Sequence, residues 1–181
     1  MKLYEETLGT RRIFDGRIIG VREDQIRLEN GKESVREVVE HSGGVCVAAL
    51  DEEDNLLFVR QFRYAPSQVL LEVPAGKLEP GEDPGECGRR ELEEETGYVC
   101  DTYRRLATIY PTPAYVTEVI HMYYAAGLHK ASQKLDEGEF LTVERIPLDK
   151  AVEMVLNDEI PDAKTQIAVM KLKLLREMGK L

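Results

Sequence analysis

The stretch "GKLEPGEDPGECGRRELEEETGY", Gly76 to Tyr98, decides how this chain is read. Four carboxylates, Glu91, Glu93, Glu94 and Glu95, crowd into five positions with glycines on both sides. Like charges a turn apart oppose helix formation, yet the signals at both ends specify a helix. Asp83 suits the N-cap, Pro84 the first helical position, and Glu86 is placed to complete a capping box. Gly97 suits the left-handed position just past the end. The pattern predicts a helix over Pro84 to Thr96. At roughly 100° per residue, Glu91 and Glu95 lie about 40° apart on one face, and Glu94 about 60° to the other side of Glu91. Arg90 precedes Glu94 by one turn and is placed to partner it. Glu91 and Glu95 then remain as an unpaired carboxylate pair on an exposed face. A hard divalent cation such as Mg²⁺, which takes oxygen ligands, would relieve their repulsion. The competing reading is a solvated acidic face, natural in a chain of net charge −10.

Outward from this helix the chain is rich in strand signals. "RRIFDGRIIGVREDQIRLENGKESVREVVEH" alternates apolar and polar residues, with turn signals at Asp15-Gly16 and Asn30-Gly31. "GVCVAALDEEDNLLFVRQFRY" reads as strand, polar turn, strand, and "VLLEVPAG" as a further strand closed by Pro74. "RRLATIYPTP", "VIHMYYAAGL" and "EFLTVERIPL" add more. "LDKAVEMVLNDEI" and "AKTQIAVMKLKLLREMG" carry helical spacing. Strands, one central helix and terminal helices predict a mixed α/β domain with helices packed on a sheet. The one internal boundary expected divides an N-terminal strand region, residues 1–40, from residues 41–181.

Composition narrows the function. The 181 residues are 43% hydrophobic, enough for a core. The acidic balance argues against a nucleic-acid partner, which needs clustered Lys and Arg. It leaves room for an anionic small molecule whose charge is bridged by metal. The N-terminus lacks the apolar core of a signal peptide, no apolar run reaches membrane-spanning length, and no membrane partner is expected. Cys46, Cys87 and Cys100 show no paired spacing and read as reduced core residues of a cytoplasmic protein. His41, His121 and His129 show no ligand spacing.

The 23-residue stretch resembles the Nudix box, G-x5-E-x7-R-E-U-x-E-E-x-G-U, with U a bulky apolar residue. Gly76, Glu82, Arg90, Glu91, Leu92, Glu94, Glu95 and Gly97 fall on its fixed positions, and Tyr98 replaces the usual final aliphatic. The resemblance implies the Nudix α/β/α sandwich, with a mixed sheet between helices. It also implies metal-dependent hydrolysis of a diphosphate linked to another moiety, using Mg²⁺ or Mn²⁺. By the same resemblance Glu91, Glu95 and Glu94 are metal ligands, joined by the backbone carbonyl of Ala75. Arg90 and Glu82 orient those carboxylates.

Beyond the box the chain resembles the ADP-ribose pyrophosphatase branch. Pro113 takes the place of a branch proline fifteen residues past the box, although Ala114 follows it where glycine is usual. "VRQFRYAPSQVLLEVPAG" and "IPDAKTQIAVM" are also similar to that branch. Arg36 and Arg63 match arginines that contact the nucleotide or its phosphates, a task that suits a guanidinium fork; otherwise they are exposed strand arginines. Phe14 is either an adenine-stacking residue across a dimer interface or a core aromatic. Glu118 is a candidate ribose contact. The general base of the branch lies in a late mobile loop, here "QKLDEGEFLTV", where Glu137 and Glu139 are candidates and Glu139 is preferred. A homodimer, with N-terminal strands reaching to the partner, is expected. The implied reaction converts ADP-ribose to AMP and ribose 5-phosphate. The alternatives are another nucleoside diphosphate sugar such as GDP-mannose, or a module that binds a nucleotide without cleaving it.

Overall fold

The turn signals fall between three strands, β1 (Glu6–Asp15), β2 (Gly20–Arg27) and β3 (Glu33–Glu40), in a computed structural model that describes residues 3–181. They form an antiparallel sheet in the order β1-β2-β3. Charged pairs lace it, among them the solvent-facing Arg11–Glu23 at 3.0 Å and Arg22 with the buried Asp24 at 3.2 Å. β1 is an edge strand exposed along nearly its whole length, with Ile13 and Phe14 open to solvent. These strands belong to a first compact unit, which runs to Gly43 and takes in Tyr110–Val119. That second segment joins β3 by backbone bonds, from Val39 N to Tyr115 O at 2.8 Å and from Thr117 N to Val39 O at 2.9 Å.

The second unit comprises Gly44–Ile109 and Ile120–Leu181. Its strands are β4 (Gly44–Ala49), β5 (Asn55–Arg63), β6 (Gln68–Glu72), β7 (Ala75–Lys77), β8 (Tyr98–Ile109), β9 (Ile120–Lys130) and β10 (Leu141–Pro147). Its helices are α1 (Pro84–Thr96), α2 (Leu148–Leu156) and α3 (Ala163–Glu177). A mixed sheet runs β7-β4-β9-β8, with β4 and β9 parallel, and an antiparallel sheet runs β10-β5-β6.

β4 shows why helices lie on both sides. Its six residues, GVCVAA, are all buried, so both of its faces need apolar cover. Cys46 and Ala48 share a cluster with Ala168, Val169 and Leu172 of α3. Val47 and Ala49 share the other with Leu92 of α1, Leu57 and Ala125. Each fully buried Leu contributes about 1.5–3 kcal/mol of transfer free energy. This is the α/β/α layering that the resemblance to the Nudix box implies. Among the described residues, no helix is long and apolar enough to cross a membrane.

α1 has the expected ends. The Asp83 carboxylate accepts from Gly85 N at 2.8 Å and Glu86 N at 3.2 Å. Gly97, at φ 70°, donates its N–H to Glu93 O at 2.8 Å. Among the described residues the Glu86 carboxylate returns no bond to Asp83, so the capping box is half made. One element went unread in the sequence. β7 is a separate three-residue strand after Pro74, paired with β4 through Cys46↔Ala75 and Gly44↔Lys77.

Candidate active site

The carboxylate face of α1 is turned inward. Leu92 anchors the helix in its cluster, and this rotation sets the Glu95 side chain below the surface at 2% exposure. The exposed face expected from the sequence is therefore corrected. Glu95 Oε2 accepts the Ala75 N–H at 2.8 Å, which ties β7 to the last turn of α1. Burial pushes the Glu95 carboxyl up to about 8, and the charges of Glu91 and Glu139 add to that, against the Ala75 hydrogen bond and the Arg63 charge. Burial also raises Glu91. Burial, more than the neighbouring charges, disfavours the ionised form of both carboxyls, and a bound cation would offset that cost.

Arg90 does more than pair with Glu94. Its Nη1 lies 2.8 Å from both Glu91 Oε1 and Glu94 Oε2. Its Nε and Nη2 reach the Glu82 carboxylate at 3.0 and 3.3 Å. The Arg90 hydrogen bond brings Glu82 down to about 2. Glu91 is thus not unpaired, as the helical spacing suggested, because one guanidinium spans three carboxylates. Gly76 explains its own place in the motif. A β-carbon there would overlap the Glu91 carboxylate, so only glycine leaves Glu91 room to hold this position against β7.

Glu139 stands in the loop after β9. It is half-buried, accepts from Gln61 Nε2 of β5 at 3.2 Å, and lies close enough to raise the proton affinity of both Glu91 and Glu95. Glu137 is exposed, separated from Glu139 by Gly138. The start of this loop is tied to the end of α1. Ala131 N donates to Gly97 O at 2.7 Å, Gln133 Nε2 to Glu95 O at 2.6 Å, and Lys134 N to Glu94 O at 3.0 Å. These bonds satisfy helix-end carbonyls that would otherwise lack partners.

Arg63 of β5 completes this group. It forms a two-pronged bond with Glu72, 2.7 and 2.9 Å, and Glu72 is 1% exposed. Lys164 of α3 also bonds Glu72. Burial pushes Glu72 up, but Arg63 and Lys164 outweigh it and hold the carboxyl near 2. The structure therefore brings together Ala75, Arg90, Glu91, Glu94, Glu95, Glu139 and Arg63.

The remaining sequence candidates belong to the first unit. Arg36 forks onto Glu5 at 3.0 and 2.5 Å, and its Nη1 reaches Val35 O at 3.1 Å. Phe14 is 53% exposed and so is not a core aromatic. Pro113 is exposed in the Tyr110–Val119 segment. Glu118 lies 3.7 Å from His41 Nδ1, which already accepts the Gly43 N–H at 3.0 Å and so has no proton for Glu118.

Residues 40–168 match the NUDIX domain family, and residues 5–39 match the nucleoside diphosphate sugar hydrolase N-terminal domain. The chain belongs to the Nudix family. This Nudix chain is 43% identical over 176 residues to a methanol dehydrogenase activator of Bacillus methanolicus, spanning 96% of this chain and 95% of the relative. It is 39% identical over 174 residues to an ADP-ribose pyrophosphatase of Bacillus subtilis strain 168, spanning 95% and 94%. It is 34% identical over 144 residues to a GDP-mannose pyrophosphatase of Yersinia enterocolitica, spanning 74% of each. A solved structure described as an ADP compounds hydrolase shares the fold, with a TM-score of 0.86 over 100% of both chains at 22% identity.

Nudix hydrolases of this kind are metal-dependent, and the donor types here fit a hard divalent cation. Glu91, Glu94 and Glu95 carry the carboxylate oxygens that such a cation takes, and Glu95 is buried. Among the described residues no three His, Cys, Asp or Glu side chains already stand as a metal-holding group. Glu91 and Glu94 turn to Arg90, and Glu95 turns to Ala75.

Sequence reasoning missed Gln61, Gln133, Glu72 and Lys164. Glu72 was open to detection as a lone carboxylate inside the apolar run "VLLEVP", which calls for a buried cation. The two glutamines carry no such signal.

Proposed function

We propose that this Nudix chain hydrolyses the diphosphate of ADP-ribose, releasing AMP and ribose 5-phosphate, with Mg²⁺ as the cation and Mn²⁺ as a substitute. The observation that carries the reading is the buried Glu95, set against Ala75 and coupled to Glu91 and Glu139. The 39% identity to an ADP-ribose pyrophosphatase over nearly the whole chain supports the substrate.

Glu91, Glu94, Glu95 and the Ala75 carbonyl would hold the cation, which when bound offsets diphosphate charge and acidifies water. Arg90 keeps Glu91 and Glu94 oriented, and Glu82 keeps Arg90 in place. Glu139, steadied by Gln61, takes the proton of the attacking water as its oxygen bonds to phosphorus and the bridging P–O bond breaks. Arg63 keeps Nη1 for a phosphate, since Nε and Nη2 serve Glu72. Arg36 would have to exchange Glu5 for the nucleotide. Pro113 and Glu118 would shape the sugar end, and Phe14 would stack on adenine. The exposed β1 edge would pair with a second copy, giving a homodimer.

The 34% identity to a GDP-mannose pyrophosphatase favours one second reading, the same chemistry on another nucleoside diphosphate sugar. A hydrolysis panel with Mg²⁺ tests both: ADP-ribose, GDP-mannose, UDP-glucose and NADH, each with and without EDTA, with products separated by chromatography. AMP released fastest from ADP-ribose, and abolished by EDTA, is the expected result. Faster turnover of GDP-mannose would move the assignment to the second reading. No turnover of any would return the chain to a binding role. Light scattering in solution tests the dimer, and a monomer at micromolar concentration would overturn it.

A further inference from the structure

The segment "IPDAKTQIAVM" has no place in the chemistry above, yet the structure puts its polar residues against the strand that leads into the site. Asp162 caps α3, accepting from Thr165 N at 2.9 Å and from the Thr165 hydroxyl at 2.6 Å. The same hydroxyl oxygen accepts the Val73 N–H at 3.0 Å. Lys164 bonds Asp162 at 3.0 Å and reaches across to Glu72. Thr165 is fully buried and Glu72 almost so. Two carboxylates and two cations, Asp162, Glu72, Lys164 and Arg63, thus balance within one network that is buried at Glu72 and open to solvent at Arg63. Burial opposes the Lys164 charge, but Asp162 and Glu72 keep it protonated.

The backbone from Glu72 to Ala75 is held at every step by another element. Glu72 is held by its side chain, Val73 N by Thr165, Pro74 O by Val47 N at 2.8 Å, and Ala75 N by Glu95. Pro74 has no N–H to contribute. Without Thr165, the Val73 N–H would be a buried donor with no acceptor, and the segment would shift to find one.

We propose that Lys164 and Thr165 are positioning residues for the carboxylate site. From the start of α3 they fix Glu72 to Ala75, so that Ala75 meets Glu95 and Arg63 keeps one edge turned to substrate. Only the effect on turnover rests on the diphosphate-hydrolase reading above; the effect on Ala75 and on cation affinity does not.

The test is Thr165→Val, which keeps shape and removes the hydroxyl, with Thr165→Ser as the rescue. Hydrogen exchange at the Ala75 amide is followed by NMR in ¹⁵N-labelled protein, and Mn²⁺ binding by electron paramagnetic resonance, both well below the melting temperature. In Thr165→Val the Ala75 amide is expected to exchange faster and Mn²⁺ to bind more weakly, each by roughly tenfold or more, with Thr165→Ser returning both to within about threefold. Should Thr165→Val fail to fold, Lys164→Gln is measured with Lys164→Arg as its rescue, and the same two changes are expected. Folded variants with wild-type exchange and Mn²⁺ affinity would overturn the proposal, as would conservative variants that restore neither. If these readouts respond while wild-type protein leaves ADP-ribose intact, the substrate reading fails and the positioning role stands.

Discussion

The backbone N–H of Ala75 points at the carboxylate of Glu95, 2.8 Å away, and seals it beneath the surface of α1. One bond thereby joins the short strand β7 to the helix that carries the acidic cluster. Replacing Glu95 by Gln keeps an acceptor for Ala75 and removes a charge that burial disfavours. Turnover is expected to fall by roughly a hundredfold or more, because a ligand oxygen loses its charge. The melting temperature without metal is expected to hold or rise. Thermal melts and steady-state kinetics check both, and retained turnover would remove Glu95 from the metal site.

Gly76→Ala is expected to fail for a steric reason. The added methyl group meets the Glu91 side chain from its Cγ outward, so either that side chain leaves its place beside Arg90 or β7 shifts. Overpacking of this kind costs about 1–3 kcal/mol, a drop of roughly 3–10 °C in melting temperature for a chain of this size. Activity is expected to fall with it, because Glu91 is displaced. A variant with unchanged melting temperature and unchanged rate would contradict the close approach.

The two loop carboxylates are expected to separate cleanly. Glu139→Gln should lower kcat by roughly 10²–10⁴-fold, the range for loss of a general base. Glu137→Gln, altered at an exposed position, should stay within about twofold of wild type. Kinetics at saturating Mg²⁺ decide between them. The reverse ranking would transfer the base to Glu137, and two silent variants would return it to the box.

Glu72 makes stability depend on acid. Its pKa near 2 in the fold lies below its ordinary 4.5. The ion pairs with Arg63 and Lys164 therefore contribute fully above about pH 4.5, and the contribution is lost as pH falls from 4.5 through 2. It is on the order of 3 kcal/mol. Urea unfolding of wild type and Glu72→Gln from pH 7 to pH 2.5 should give curves that converge in acid. Parallel curves would show that Glu72 is not held ionised by its partners.

Much of this fold was legible in order along the chain. The helix over Pro84–Thr96 follows from Asp83, Pro84 and Gly97, because caps are local hydrogen-bonding problems solved within a few residues. The β1–β2–β3 hairpins follow from Asp-Gly and Asn-Gly for the same reason. The acidic cluster and its motif are likewise one contiguous stretch. The structure decided what depends on partners distant in sequence. Glu95 is buried because Leu92 sets the rotation of α1 and β7 covers it, 20 residues away. Arg90 holds three carboxylates because the chain returns Glu82 to its side. Glu72 is charged in the core because Lys164 arrives from 92 residues away, and periodicity cannot carry that distance. Spacing tells which side chains share a face; only packing determines whether that face meets water or another element.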